Sequence, residues 1–444
     1  MTTLPSEKIE WMRERLTDRM GRIFRFEGGV YRAVYPAQVE HVLSLFARGI
    51  VSQLAGRGLL IESEIADLRV ERFGLVIRHA ALPFATKPFE WPRQFLRDAA
   101  LCVLDLNLAL LPHGLATVDA HGGNIAQGKA CAPVWVDFGS LLPAEPGGAA
   151  VEEFRRFFTR PLRLMERAPS SAAFVRQCLR AGGIAAEAEA ELRHPRWSPL
   201  RWRHRLAGEL SRRMGFDRAR ILRAERERIA RLRLDPPRTP WGPYQHKELP
   251  LFPAAYDDLE ADPRRRAIFQ ILREAAPRRV IDLAANAGFF GFFAARLGAD
   301  VLALDYDESA VGHCYETARE KARGISIACA VADVMEPPPV ARSADFVLAL
   351  ALTHHLALGQ RYTFAAIAAA LARFTTDALL VEFMPHGLGG TRPLPDPLPE
   401  CYRLDEFLRA LDPHFAKVSV VDYPADPARN RRILIHARGR SGGV

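Results

Sequence analysis

Residues 278–306 read RRVIDLAANAGFFGFFAARLGADVLALDY, and their order decides the fold. An apolar run at 280–283 holds Asp282. A small-residue turn at 284–288 follows, then an apolar helix, then a second apolar run at 301–304 that ends on Asp305. Strand, tight turn, helix and strand make a βαβ unit. With an acid closing the second strand, such a unit binds a nucleoside. Small residues let the ligand approach the backbone, and the acid accepts hydrogen bonds from ribose hydroxyls. A dinucleotide site would carry G-x-G-x-x-G, whereas this turn keeps only Gly288. The competing reading is a plain βαβ unit whose aspartates are incidental.

Downstream the alternation continues. A helix is expected over 311–322, and ISIACAVADV (325–334) reads as a third strand ending at Asp333. ADFVLALALTHHLAL (344–358) starts as a fully apolar strand of the kind buried in a parallel sheet, and runs into His354 and His355. A helix over 363–374 leads to ALLVEF (378–383), a fifth strand with Glu382 at its end. FAKVSVVDYP (415–424) and RRILIHAR (431–438) are β-rich runs about a turn-rich stretch, as in a terminal hairpin. The pattern predicts an α/β fold: a doubly wound, Rossmann-like sheet closed by that hairpin.

The acid before the turn, the loose small-residue turn and the acid on strand two resemble the S-adenosylmethionine (SAM) site of class I methyltransferases. The resemblance implies that Asp305, with Tyr306 beside it, holds the ribose. It places Asp282 near the methionine end and Asp333 with Val334 at the adenine. Ala284, Asn286 and Gly288 shape the turn; glycine permits backbone angles that other residues avoid, and asparagine tolerates left-handed geometry. The start of the helix near Phe289 offers backbone N–H groups to the methionine carboxylate. His354 and His355 fall where the methyl group is presented. One of them is a candidate general base for an acceptor hydroxyl, since imidazole titrates near neutrality; the alternative is that the pair packs on adenosine or satisfies a loop carbonyl. His354, nearer the strand end, is the better candidate for the catalytic role and His355 for the structural one. Glu382 is a candidate acceptor ligand, or else an ion-pair partner for an arginine. Trp241 and Tyr244 read as a lid over the cofactor or as ordinary core aromatics.

The first half has its own pattern. RIFRFEGGVYRAV (22–34) reads as a hairpin turning at Gly28-Gly29, followed by helices at 37–48 and 92–111 and by short strands in LLIE, LRVERF and LVIRHA. In HGLATVDAHGGNIAQGKACAPVWVDFGSL (113–141), Asp119 lies five residues before Asn124, and Asp137-Phe138-Gly139 ends the next strand. This resembles the catalytic loop and D-F-G of kinases and small-molecule phosphotransferases, in which such residues orient the acceptor hydroxyl and hold magnesium. The cationic partner is missing. Lys8, Lys87 and Lys129 are the only lysines before residue 235, and the strand after the Gly28-Gly29 turn carries Arg32 instead. Arginine can contact phosphate but does not replace lysine like for like. The expected domain is kinase-like and degenerate.

Bulk composition sets the frame. The chain has 444 residues, 49% hydrophobic and 25% charged, as in an ordinary globular protein of two or three domains. The N-terminus has no signal-peptide core, and no apolar run is long enough to span a bilayer. The six cysteines are scattered without C-x-x-C, which reads as reduced structural thiols in a cytoplasmic protein, with no metal site. The net charge of +9 comes almost wholly from arginine concentrated in 155–238. RAERERIARLR (223–233) alternates Glu and Arg at helical spacing, so an ion-paired helix face is expected rather than a nucleic-acid surface. The proline-rich DPPRTPWGP (235–243) is the expected boundary between residues 1–234, a kinase-like domain with an arginine-rich helical extension, and residues 244–440, the methyltransferase domain.

Together the halves resemble a family of bacterial two-domain methyltransferases related to nodulation proteins. The resembling segments are 88–125, PVWVDFGSL (133–141), DLAANAGFF (282–290), DFVLALALTHHLAL (345–358) and LLVEFMP (379–385). The chain departs from the family pattern where Ala284 and Ala285 replace glycine and cysteine, in HGLGGTRP (386–393), which lacks an acid, and in the short MEPPPVARSAD (335–345). The resemblance implies SAM as cofactor and a small-molecule, saccharide or carrier-bound acceptor. The alternatives are a magnesium- and ATP-dependent phosphotransferase working through Asp119, Asn124 and Asp137, and a binding module without catalysis.

Overall fold

The computed structural model describes residues 2–12, 18–82, 84–144, 149–193, 217–241, 262–338, 343–389, 397–424 and 432–441. Tyr244, the arginine-rich stretch 194–216 and the expected start of the second domain lie outside the described residues.

The N-terminal region begins with an antiparallel sheet. Its strands are β1 (Glu10–Trp11), β2 (Gly21–Phe26), β3 (Gly29–Val34), β4 (Ser63–Ile65) and β5 (Leu75–His79), in the order β1-β2-β3-β5-β4. The β2–β3 hairpin turns at Gly28, whose φ of 77° suits glycine. Helix α1 (Val39–Ala47) packs near this sheet, and α2 (Arg93–Leu110) forms the spine of the helical part. Strands β6 (Ile125–Gln127) and β7 (Pro133–Trp135) make the small ribbon that leads to Asp137. The LLIE segment is not a strand; only Leu60 forms an isolated bridge, to Trp135. Helix α3 (Arg218–Ala230) carries the expected ion pairs, Arg228–Glu225 at 2.9 Å and Arg231–Glu227 at 3.3 Å. It is more than a solvated face: Leu222, Glu225 and Ile229 are buried, and Arg226 pairs with Asp105 of α2 at 2.5 Å.

The C-terminal region is one seven-stranded sheet. Its strands are β8 (Arg279–Leu283), β9 (Asp300–Asp305), β10 (Ile327–Val331), β11 (Ala344–Ala349), β12 (Thr375–Phe383), β13 (Phe415–Val420) and β14 (Ile433–Arg440). The order is β10-β9-β8-β11-β12-β14-β13, with every pair parallel except the two made by β14. The terminal hairpin is therefore where the sequence pattern puts it, inserted so that β14 touches β12. Period-two alternation sorts the faces. Val280, Ala303, Phe346 and Leu380 face α4 (Pro263–Ala275), α5 (Phe289–Arg296) and α6 (Glu308–Lys321). Ile281, Leu304, Val347 and Val381 face α7 (Phe364–Ala372) and α8 (Leu404–Leu411). Each fully buried phenylalanine, such as Phe292 or Phe346, contributes about 1.5–3 kcal/mol.

The two regions share one core, since apolar side chains from α1 and α2 are continuous with the first face of the sheet. Polar contacts bind them as well. Buried Arg93 of α2 donates Nε–H to Glu308 Oε1 at 2.9 Å, and Arg176 reaches Glu308 Oε2 at 3.1 Å. Tyr315 donates its hydroxyl to Asp98 at 2.6 Å. The Gln127 amide donates to the Cys329 carbonyl at 2.7 Å and accepts from its N–H at 3.0 Å. Gln127 thus imitates a neighbouring strand and covers part of β10, an edge that would otherwise present open backbone groups.

Candidate functional site

The sheet order reverses at β8, which has β9 on one side and β11 on the other. Open α/β sheets bind ligands beyond the carboxyl ends of the strands at such a switch point. The turn after β8 and the segment after β11 meet there, and they carry most of the residues singled out from the sequence.

The turn is held in an unusual shape. Ala284, Asn286 and Gly288 have φ of 54°, 52° and 87°. Gly288 fits because a side chain there would also collide with Cys314 Sγ, 2.7 Å from an ideal Cβ. Ala284 and Asn286 hold left-handed angles at a cost of about 1–2 kcal/mol each, less for asparagine. Asp305 offsets part of that cost. Its Oδ2 accepts the Asn286 N–H at 2.8 Å, and its Oδ1 accepts the Asp307 N–H at 2.8 Å. Each carboxylate oxygen keeps a further lone pair for a ribose hydroxyl. Burial pushes the Asp305 carboxyl up to about 6, against the pull of the two backbone donors. Tyr306 beside it is 72% exposed, a free face at the mouth of the site.

Asp282 lies under the turn, buried, with Oδ2 accepting from the Gly291 N–H of α5 at 3.0 Å. Burial pushes its carboxyl up to about 7; the Gly291 bond opposes this and the charge of Asp305 adds to it. Gly288 caps α5, whose first N–H groups open toward the turn. Asp333 stands two residues beyond β10, exposed, with Oδ1 accepting the Met335 N–H at 2.9 Å; Val334 next to it is buried. The fit to SAM rests on this donor and acceptor set. Paired acceptors sit at the end of β9, an exposed aromatic lies beside them, and a buried carboxyl and a helix N-terminus lie below.

On the other side of the crevice, His354 and His355 lie against each other, tilted, with ring centroids 4.0 Å apart. His355 is half-buried and meets Trp241 edge-on at 5.0 Å, while the Trp241 carbonyl accepts the Asn286 side-chain N–H at 2.9 Å. Trp241 therefore lies across the mouth between the turn and the histidines. His354 is buried, which drives its imidazole down to about 3, helped by His355 and Arg432. Burial also lowers His355. Glu382 is fully buried, yet its carboxyl is held below the usual carboxylate range, because Arg264 and Arg432 outweigh the cost of its burial. Arg264 of α4 grips both its oxygens, with Nη2–Oε2 at 3.0 Å; Arg432 reaches Oε2 at 3.3 Å and the Ala351 N–H donates to Oε2 at 2.9 Å. These two arginines went unread in the sequence.

Residues 280–373 match the family model described as a methyltransferase domain. The chain carries a methyltransferase domain. It is also similar to the nodulation protein NoeA of Rhizobium meliloti (strain 1021), at 24% identity over 412 residues, 83% of each chain. Among solved structures, the bifunctional kinase-methyltransferase WbdD matches with a TM-score of 0.32 and 17% identity, over 39% of each chain, so this protein spans well under half of WbdD's length in that alignment. Magnesium protoporphyrin IX methyltransferase (ChlM) from Synechocystis PCC 6803 with bound SAM matches with a TM-score of 0.30 and 17% identity, over 40% of this chain and 82% of that one.

The kinase-like loop has a different character. Arg32 of β3 is 1% exposed, and its Nη1 donates to both oxygens of Asp18, at 2.7 and 2.8 Å. Its Nη2 donates to Asp137 Oδ1 at 3.2 Å, the oxygen that also accepts the Gly139 N–H at 3.1 Å. A side chain at Gly139 would lie 2.5 Å from Arg32 Nη1. Burial, Asp18 and Asp119 push the Asp137 carboxyl up, while Arg32 pulls it down. Asn124 is buried with Nδ2 unpartnered. Among the described residues no group of three or more metal-ligating side chains could hold an ion, and no helix is long and apolar enough to cross a membrane.

Proposed function

We propose that this protein transfers the methyl group of SAM to a small-molecule, saccharide or carrier-bound acceptor in the cytoplasm. The domain division at 235–243 separates that activity from a kinase-like partner domain. The observation that carries the reading is Asp305: its carboxylate is oriented by two backbone N–H groups and still offers acceptor capacity at the switch point. In this reading Asp282, Ala284, Asn286 and Gly288 form the methionine end, and Tyr306, Asp333 and Val334 flank the nucleoside. When bound, SAM supplies the activated methyl. The protein's task is to align acceptor and methyl and to exclude water, which Trp241 assists from its place across the mouth. His355 is the better-placed general base, because deep burial leaves His354 too weakly basic to take a proton efficiently. Glu382 serves by fixing Arg264 and Arg432 at the acceptor side.

Calorimetric titration with S-adenosylhomocysteine (SAH) tests the cofactor reading. Wild-type protein should bind it, and Asp305→Ala should weaken binding while the protein stays folded. Unchanged affinity in the folded variant would sink the assignment.

A further inference from the structure

Among the described residues, the acceptor side of the crevice holds more positive charge than its carboxylates neutralise. Glu382 is a single carboxylate facing two guanidinium groups, Arg264 and Arg432. Asp262, a nearby acid among the described residues, is already engaged: it accepts the Arg264 and Arg265 N–H groups as the cap of α4 and pairs with the Arg265 side chain at 3.5 Å. Tyr423 is bound to the Arg432 carbonyl. Among the described residues one unit of positive charge at Arg432 is thus left over, and its side chain is 17% exposed, within reach of a ligand.

Two buried polar atoms beside it have no partner. One is Arg432 Nε and the other is Nδ1 of His354, a residue only 5% exposed. Buried donors are almost always satisfied, so a pair of orphans next to surplus charge marks a place where a ligand completes the network. In its Nδ1–H tautomer His354 donates, as Arg432 Nε does. The cluster is continuous with the cofactor turn through the neighbouring His355, Trp241 and the Trp241–Asn286 hydrogen bond.

We propose that Arg432 and His354 bind an oxyanion of the methyl acceptor, a carboxylate or a phosphate, so that the acceptor is an anionic molecule; this rests on the methyl-transfer reading. Guanidinium and imidazole N–H donors suit such a group, because charge-assisted bonds are the strong ones.

The test is calorimetric titration of the full-length protein with inorganic phosphate and, separately, with acetate, at ionic strength held constant with chloride, with and without saturating SAH. Saturable binding is expected, and Arg432→Gln should weaken it about tenfold, the loss of one charge-assisted contact. That substitution leaves Glu382 paired with Arg264 and so spares the fold. Arg432→Lys should lose less than Arg432→Gln, and His354→Leu should weaken binding in the same sense. The tighter of the two anions identifies the acceptor group. Equal binding in wild type and Arg432→Gln, or no saturable binding of either anion, overturns the proposal. SAH failing to bind would overturn the methyl-transfer reading instead, and the anion titrations are read without it.

Discussion

Asp137 and Asp305 are near twins in local structure and opposites in what they offer. Asp137 follows a strand and Asp305 ends one, and each accepts the N–H of the residue two places on, Gly139 and Asp307 respectively. Asp137 then meets Arg32, a buried guanidinium anchored by Asp18, so its charge is neutralised in place. Asp305 instead meets further backbone N–H groups, from Asn286 and Tyr306. A backbone donor orients a carboxylate without cancelling its charge, whereas a fixed cation does both. The same motif therefore makes a closed site in the first half and an open one in the second.

The sharpest way to break this contrast is to remove a proposed base from each half. His355→Asn should lower methyl-transfer turnover by about two to four orders of magnitude, the usual share of general-base catalysis, with SAH affinity little changed. Asp119→Asn, the corresponding change in the kinase-like loop, should leave turnover near wild type. Turnover and SAH affinity measured side by side, once an acceptor is found, decide it. Normal turnover in His355→Asn would leave alignment alone as the source of rate.

Removing the two aspartates sharpens the contrast at the level of binding. Asp305→Ala deletes a charged acceptor worth about 1.5–3 kcal/mol, so SAH affinity should fall roughly ten- to a hundredfold. Asp137→Ala should leave it unchanged, because Asp137 faces Arg32 rather than the crevice. Equal losses in both variants would mean that the halves are coupled through α2 and Glu308 rather than separate.

A smaller effect follows from Asp282. Its carboxyl titrates near 7 in the folded protein, and burial is the main cause. A ligand amine or N–H near the methionine end favours the ionised form, so binding releases a proton below that pH. SAH affinity should rise with pH and level off above about 7, with roughly tenfold between pH 6 and 8 for one proton. The free protein shows the opposite trend. An acid whose folded pKa is raised gives stability that is complete below its unfolded pKa near 4 and is lost as pH rises through about 7. Asp282→Asn should flatten both profiles; an unchanged affinity slope in that variant would assign the proton elsewhere.

The open site was more legible in the sequence than the closed one, and the reason is distance along the chain. Asp282, the turn and Asp305 fall within one βαβ unit, where period and turn chemistry are local. The five parallel strands were legible because buried parallel strands are largely apolar, and the last two because β-rich runs flank a turn-rich stretch. What could not be read were side chains that meet partners far away. Arg264 is one of three successive arginines in PRRRAIF, and only its direction, toward a glutamate 118 residues on, distinguishes it. Gln127 covers an edge strand 202 residues away, and Arg93 reaches Glu308 across 215. Composition ranks all of these as surface residues, since a long polar side chain is usually exposed. Arg32 is the partial case. Its place on the strand was visible and its missing lysine noted, but not that Asp18 would turn it onto Asp137.

That last arrangement makes the smallest prediction, an effect of zero. Magnesium bound by Asp137 would need the carboxylate that Arg32 already holds, and Asn124, the other expected magnesium ligand, is buried. Admitting the ion means either breaking the Asp18–Arg32–Asp137 chain inside the fold or placing two positive charges side by side. Stripping one partner from a buried ion pair costs about 3–5 kcal/mol, more than a weakly held nucleotide returns. ATP with magnesium should therefore leave the Tm of the wild-type protein where it is, because a ligand that does not bind the native state cannot stabilise it. SAH in the same assay should raise the Tm, which shows that the measurement can detect a ligand. A rise with magnesium-ATP that disappears in Asp137→Ala would mean that Arg32 yields its place, and the phosphotransferase reading would return with Asp119 as its base.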